Sequence, residues 1–382
     1  VSFTTDHKRI LELLDSIEPE EYAKTRNHLH GKVTRISPYI SRGVISTKQV
    51  LKHLMDKGYS TYQSGKLIQE LAWRDYWQLV WKIKKDEINS DLRRVQTPVN
   101  HYFTPSAISE AKTGIQSIDA AIKELYKTGY MHNHLRMYTA AVTCNVAYAH
   151  WKNPAKWMYY YLLDADWASN ALSWQWVAGA NANKKYIANQ ENINFYTTTK
   201  QKGTFLDVDY EAFKYPSYDA NPKLTSTPTA SDFQTPKALL ESKKFSLTTK
   251  LPEVPNISIN SNLPTYIYNW YNLDPEWSKE ISANRILLIE PSVFKVYPIS
   301  EKSMKFMLDL SKNMQNIQVF VGEFSELKLK LELSEIHFKE HPLNKYTGTE
   351  HARDWMFETH DYFKSFFAFW KKCKKELRAS ET

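Results

Sequence analysis

Cysteine is nearly absent: Cys144 and Cys373 are the only two in 382 residues, and they lie far apart. That excludes a disulfide framework, and any iron–sulfur cluster held by four cysteines of this chain, and makes a reducing cytoplasm the default. Long apolar runs are missing as well. The opening stretch VSFTTDHKRI has no apolar signal-peptide core, and no run of 18 apolar residues occurs, so a soluble intracellular protein is expected. No internal repeat is evident.

What is present is a normal hydrophobic share, 42%, enough for a substantial core, and an unusual aromatic load of 14% with 12 Trp and 24 Tyr. The net charge of +8 is unevenly placed. Residues 1–200 carry 26 Lys and Arg against 18 Asp and Glu, whereas residues 201–382 carry 24 of each. The first half also holds 8 of the 12 Trp. A basic, tryptophan-rich half suggests a polyanion partner there.

Apolar residues recur at helical spacing through the first 200 residues. DHKRILELLDSI, STKQVLKHLMDKG, SGKLIQELAWRDYWQLVWKIKK, SIDAAIKELYKTG and HNHLRMYTAAVTCNVAYAHW all read as helix. Between about Tyr196 and Pro264 the text changes, because seven of the 16 prolines fall there among many Ser and Thr. An extended connector is expected over 201–264, its first part packed on the helices through Phe205, Tyr210, Phe213, Tyr215 and Tyr218. From Arg285 the pattern becomes α/β: RILLIE, IQVFVG and IHFKE are short strands, with a helix at SEKSMKFMLDLSKN. EHARDWMFETHDYFKSFFAFWKKCKKEL supplies closing helix. The expected fold is therefore mainly α: a helical domain over 1–200, the connector, and a small parallel-sheet α/β domain over 265–382. That last domain carries neither G-x-G-x-x-G nor a Walker loop.

Four segments place polar groups where an apolar helix pattern is expected. VTRISPYISRG sets hydroxyls and arginines just before a helix, which suits phosphate, although Ser or Thr there is usually only a cap. In ELAWRDYW, Glu70, Trp73, Arg74 and Trp77 fall at i, i+3, i+4 and i+7 and share one helix face. Such a face suits a planar ligand, and equally suits an amphipathic helix with a Glu–Arg pair. In HNHLRM, His132 and Arg136 are i, i+4, and Asn133 and Arg136 are i, i+3. No nearby carboxylate or cysteine completes a ligand set with the two histidines, so no metal is expected. In LLDADWASNALSWQW, Asp166 and Asn170 are i, i+4, with Trp174 one turn further on and Asp164 facing elsewhere.

Taken in order, TRISPYISRG, ELAWRDYW, HNHLRM and DADWASNALSWQW, followed by NKKYIANQENIN, closely resemble the flavin-binding helical domain of the DNA photolyase/cryptochrome family over about residues 20–200. The resemblance implies FAD in its reduced form as cofactor. Tyr22 and the Thr34, Arg35, Ile36, Ser37 segment match positions around the FAD phosphates, and Arg74 joins the cofactor set. Arg136 and Asp164 match an ion pair beside the isoalloxazine. Asp166 matches the carboxylate at the flavin's pyrimidine edge, and Asn170 the side chain next to N5. Glu70, Trp73, Asn133, Met137 and Trp176 match positions that receive a flipped pyrimidine dimer, with Met137 resembling the cyclobutane-dimer type. Trp174 and Trp151 match the first two electron-transfer tryptophans; the third falls near Pro98, and Tyr102 is a candidate replacement.

The resemblance thus implies light-dependent splitting of cyclobutane pyrimidine dimers, with damaged DNA, single- or double-stranded, as partner. A cytoplasmic, nucleoid-associated monomer is expected, with no membrane partner. The alternative is a cryptochrome-like blue-light photoreceptor using the same flavin pocket without repair. The flavin motifs begin near residue 20, so the family's N-terminal α/β antenna domain is expected to be lacking. The stretch from ILLIEPSVFK onward loosely resembles a reduced version of that domain, and no antenna chromophore is expected.

Overall fold

The computed structural model describes residues 2–213, 235–243, 246–331 and 334–379. Tyr215 and Tyr218 lie outside these residues. Helices His7–Asp15, Thr47–Asp56, Thr61–Lys84, Gln116–Thr128, Asn133–Ala141, Lys152–Tyr161 and Trp167–Ala178 lie within the first 200 residues. Their ends follow local chemistry. Ser46 and Ser60 each close a reciprocal capping box with a glutamine three residues on, and Gly129 and Gly179 end their helices with left-handed backbone.

One expected helix is shorter than its sequence pattern. Asn133–Ala141 gives way to a π-helical turn, Val142–Val146, and not to continuous helix through Trp151. β-branched residues crowd that turn, and the Thr143 hydroxyl donates back to the Thr139 carbonyl at 2.7 Å, which loosens the regular ladder.

The connector's earlier described parts lie on the helical body, while Ser258 pairs with Gln318 and Ile257 and Ile259 pack on the C-terminal sheet. Leu206 and Leu239 are fully buried, and Phe205 and Phe213 pack against the core, whereas Tyr210 is exposed. The Thr235 hydroxyl donates to the Val146 carbonyl at 3.0 Å.

The C-terminal part forms a five-stranded, all-parallel sheet: β1 Thr265–Tyr268, β2 Asn284–Ile289, β3 Ile317–Val321, β4 Ile336–Lys339 and β5 Thr349–His351, in the order β3-β2-β1-β4-β5. β1 and β5 are absent from the sequence reading. β1 has only four residues, wedged between Pro264 and a turn, and β5 is a short polar edge with no apolar alternation. The closing helix also starts later than expected, at Phe366. Its anticipated first half is irregular because its side chains are spoken for elsewhere. Arg353 donates to the Gln78 side chain at 2.8 Å, Ser46 donates to Asp354, and the Met356 N–H donates to Asp75 at 3.1 Å.

The central strands β1 and β2 are buried on both faces. Ile267, Ile286, Leu288 and Phe338 point toward helix Phe324–Leu331, while Tyr266, Tyr268, Leu287 and Ile289 join the large core of the helical body. That shared core fixes the C-terminal unit against helix Thr61–Lys84, the helix carrying the Glu70–Trp77 face.

Asp75, on the opposite face of that helix, sits in this seam. Burial pushes its carboxyl up to about 6 despite bonds from Met356 and Thr47. Because the folded value lies above the unfolded one, its contribution favours folding at low pH and is lost as pH rises through about 6. Asp75→Asn is therefore expected to raise the melting temperature at pH 8 more than at pH 5. Equal shifts at both pH values would contradict a charged Asp75 in the seam.

Candidate functional site

A cavity of about 650 Å³ opens among the helices of the first half, within the roughly 300–1,000 Å³ usual for ligand sites. Every residue expected at the site lines it, except Trp151. Helix Thr61–Lys84 supplies Glu70, Trp73 and Arg74; helix Asn133–Ala141 supplies Asn133, Arg136 and Met137. Asp164, Asp166, Asn170, Trp174 and Trp176 come from helix Trp167–Ala178 and the turn before it. Tyr22 and the segment Thr34, Arg35, Ile36, Ser37 form another wall, with Arg35 held at φ 55°. A non-glycine residue there costs about 1–2 kcal/mol, so the surrounding loop must impose it.

The charges are paired in layers. Arg136 donates to both Asp164 oxygens at 3.0 Å and, through Nε, to the Met131 carbonyl at 2.8 Å. Burial alone would raise the Asp164 carboxyl, but Arg136, Arg74 and the Ser37 hydroxyl outweigh it and hold it below its usual value. Asp166 caps helix Trp167–Ala178 by accepting the Ser169 N–H at 2.8 Å, and its other oxygen accepts from the Gln78 amide. Arg74 lies 3.8 Å from Asp166 and donates to the Ser41 hydroxyl at 2.7 Å. Since Arg353 donates to Gln78, the C-terminal unit reaches the cavity wall through an Arg353–Gln78–Asp166 chain.

Several placements differ from the sequence reading. Glu70 does not pair with Arg74. It meets Lys66 at 2.8 Å and Arg26 at 3.5 Å, two cations that also line the cavity. Lys66 stands four residues before Glu70, so this pair was visible in the spacing. Trp73 is not free on both faces, because Phe366 of the C-terminal helix stacks on it at 3.6 Å and 10°. Asn170 turns its amide to the Ala155 carbonyl at 2.8 Å. Trp176 is 37% exposed and stacks on Tyr186 at 5.7 Å, leaving its outer side open to the cavity. Met137 and Asn133 stand at the same mouth.

Trp174 is buried at the cavity wall, and Trp151 is buried outside the lining, its ring 6.5 Å from Trp167. The Trp151 indole donates to Asp91 at 2.7 Å, and its ring lies 5.7 Å from His150. His150 in turn stacks on Tyr102, which is 65% exposed. An aromatic path therefore runs from Trp151 to the surface through Tyr102.

His132 and His134, also in the wall, are both lowered to about 4, burial being the main cause. Each is neutral when folded. With folded values below the unfolded one of about 6.5, their contribution to stability is present above that pH and lost as pH falls toward 4. His134→Gln is expected to flatten the loss of stability between pH 6.5 and 4. An unchanged acid limb in urea denaturation would contradict a buried neutral His134.

Residues 67–209 match the family model described as the FAD binding domain of DNA photolyase. Over that stretch the helical region is similar to the photolyase/cryptochrome family. A deoxyribodipyrimidine photo-lyase of Streptomyces griseus is 30% identical over 170 residues, covering 43% of this chain and 36% of that protein. Another from Alkalihalophilus pseudofirmus is 29% identical over 148 residues, covering 38% and 31%. The chain thus spans about a third of the length of these curated photolyase relatives. Among solved structures, a Synechocystis cryptochrome aligns with a TM-score of 0.47 at 22% identity, over 51% of this chain and 44% of that one.

The cavity fits the flavin dinucleotide that names this family domain. Its lining combines hydroxyls and Arg35 with a paired acid–base layer and indoles. Ser169 and His134 are among the lining residues, and the Ser169 hydroxyl and His134 Nε2 have no hydrogen-bond partner among the described residues.

Proposed function

We propose that this protein repairs DNA by light-dependent splitting of cyclobutane pyrimidine dimers. One observation carries the reading: Glu70, Asn133, Met137 and Trp176 stand around the same cavity as Arg136, Asp164, Asp166 and Asn170. A bound, reduced flavin supplies a light-driven electron to the dimer and takes it back, so there is no net redox change.

The chain's own residues do the rest. Tyr22, Thr34, Arg35 and Ser37 hold the phosphate end, and the Arg136–Asp164 pair fixes charge beside the ring system. Asp166, already oriented by Gln78 and the helix N-terminus, presents its remaining lone pairs to an N–H edge. Asn170, its amide anchored on the Ala155 carbonyl, would be the side chain next to the flavin's reacting ring. At the mouth, Trp176 offers a stacking face and Glu70 a carboxylate oxygen to the extruded bases. Extrusion costs a few kcal/mol, least for a damaged pair, and stacking at roughly 1–3 kcal/mol per base offsets it.

The deciding experiment illuminates chemically reduced protein with an oligonucleotide carrying one thymine cyclobutane dimer. Restored thymine absorbance, dependent on light and on flavin, is the expected result. Stable flavin with no repair would favour the photoreceptor reading.

Trp174→Phe separates reduction from repair. It keeps a buried aromatic but removes the readily oxidised indole. Photoreduction with an external donor is expected to fall to a small fraction of wild type, while repair by protein reduced beforehand persists. Undiminished photoreduction would remove Trp174 and Trp151 from the electron path.

A further inference from the structure

The C-terminal helix Phe366–Ala379 has two unlike faces. Phe366, Phe369, Trp370, Cys373 and Leu377 are buried against the protein. On the outside, Phe367, Lys371, Lys374 and Arg378 follow at i, i+4, i+7 and i+11, a single exposed stripe. Phe367 is 69% exposed. Residues 364–378 hold six cations and one acid, although the half of the chain they belong to is neutral overall. That acid, Glu376, is occupied by the Glu358 N–H and the Thr359 hydroxyl. Among the described residues, Lys371, Lys374 and Arg378 have no ion-pair partner.

The stripe starts at the cavity. Phe366 stacks on Trp73, Phe367 meets the same indole edge-on at 6.3 Å, and Trp73 lines the cavity. From Phe367 to Arg378 the helix runs about 16 Å, the axial length of roughly five phosphates along one strand of a duplex.

We propose that this face is a DNA-contact surface: Lys371, Lys374 and Arg378 grip backbone phosphates flanking the lesion, and Phe367 packs against bases at the cavity mouth. A row of unpaired cations suits a polyanion and reads no sequence. A membrane surface suits it less, because an interfacial helix needs its apolar face, and here that face is spent on the core. The placement beside a lesion rests on the repair reading; the polyanion grip does not.

The test measures full-length protein binding to fluorescent duplexes, one undamaged and one carrying a single thymine dimer, across a range of salt concentrations. The triple variant Lys371→Ala, Lys374→Ala, Arg378→Ala is expected to bind both duplexes about tenfold or more weakly at 0.1 M salt. The slope of log affinity against log salt should shrink by about two to three. Phe367→Ala should weaken the dimer duplex by about fivefold or more and the undamaged one less. None of these residues lines the cavity, so unchanged flavin content reports an intact fold.

An unchanged salt slope overturns the surface. So does loss of binding to phosphatidylserine vesicles with DNA affinity intact, which would make it a membrane face. A reduced slope with no selective effect of Phe367→Ala overturns the placement at the cavity mouth. If the wild type shows no preference for the dimer, the repair reading fails, while the slope change still tests the grip.

Discussion

Asp164→Ala is expected to purify nearly colourless. The carboxylate is buried, and Arg136 donates to both of its oxygens at 3.0 Å. Removing one partner of such a pair strands the other, at a cost of about 3–5 kcal/mol. Since 1.4 kcal/mol is tenfold in affinity, flavin binding should weaken by about 100-fold or more. Asp164→Asn keeps the shape and part of the hydrogen bonding, and should retain more flavin than alanine. The sign with pH follows from the lowered carboxyl: its contribution is complete above the ordinary carboxylate range and lost as pH falls through the depressed folded value. Acid release of flavin should therefore begin only below about pH 4. Wild-type flavin content in Asp164→Ala, measured by absorbance after gel filtration, would remove this pair from the cofactor site.

How much of that arrangement the amino-acid text reveals depends on distance along the chain. The shared face of Glu70, Trp73 and Arg74 follows from one helical period, and the structure puts all three on the cavity wall. Within LLDADWASNALSWQW the acids were legible as site candidates, but the double duty of Asp166 was less so. Its cap is local, whereas its Gln78 partner lies 88 residues away and is itself held by Arg353 of the C-terminal unit. The stack of Phe366 on Trp73 joins positions nearly 300 apart, and no periodicity encodes such a contact. Short elements were lost for a different reason. β5 is three polar residues at a sheet edge, defined by its neighbour and not by its own pattern. The over-long helix prediction before Phe366 failed because tertiary hydrogen bonds donated by Arg353 and the Met356 N–H and accepted by Asp354 outweighed local propensity.

Glu70→Ala is expected to leave flavin and fold in place while cutting repair sharply. The side chain of Glu70 is 32% exposed, and its ion pairs with Lys66 and Arg26 are 34% and 22% exposed on the cation side. Pairs at that exposure contribute under about 1 kcal/mol, so the melting temperature should barely move. Their role at the cavity is different. Lys66 and Arg26 clamp the carboxylate from one side and leave its remaining lone pairs for the bases. A charged hydrogen bond lost from a buried contact is worth about 1.5–3 kcal/mol, or roughly 10- to 150-fold. If part of that bond strengthens only as charge develops on the dimer, the loss appears more in repair yield per photon than in affinity for the lesion. Glu70→Gln, which keeps one acceptor oxygen but frees both cations, should fall between wild type and alanine. Trp176→Ala provides the contrast, because stacking acts on the bound bases before any electron moves. It should weaken dimer binding by roughly 1–3 kcal/mol and undamaged DNA less. Repair measured under saturating substrate separates the two. Full yield in Glu70→Ala would reduce Glu70 to a surface partner of Lys66 and Arg26, and would leave Trp176 to mark the substrate side of the cavity.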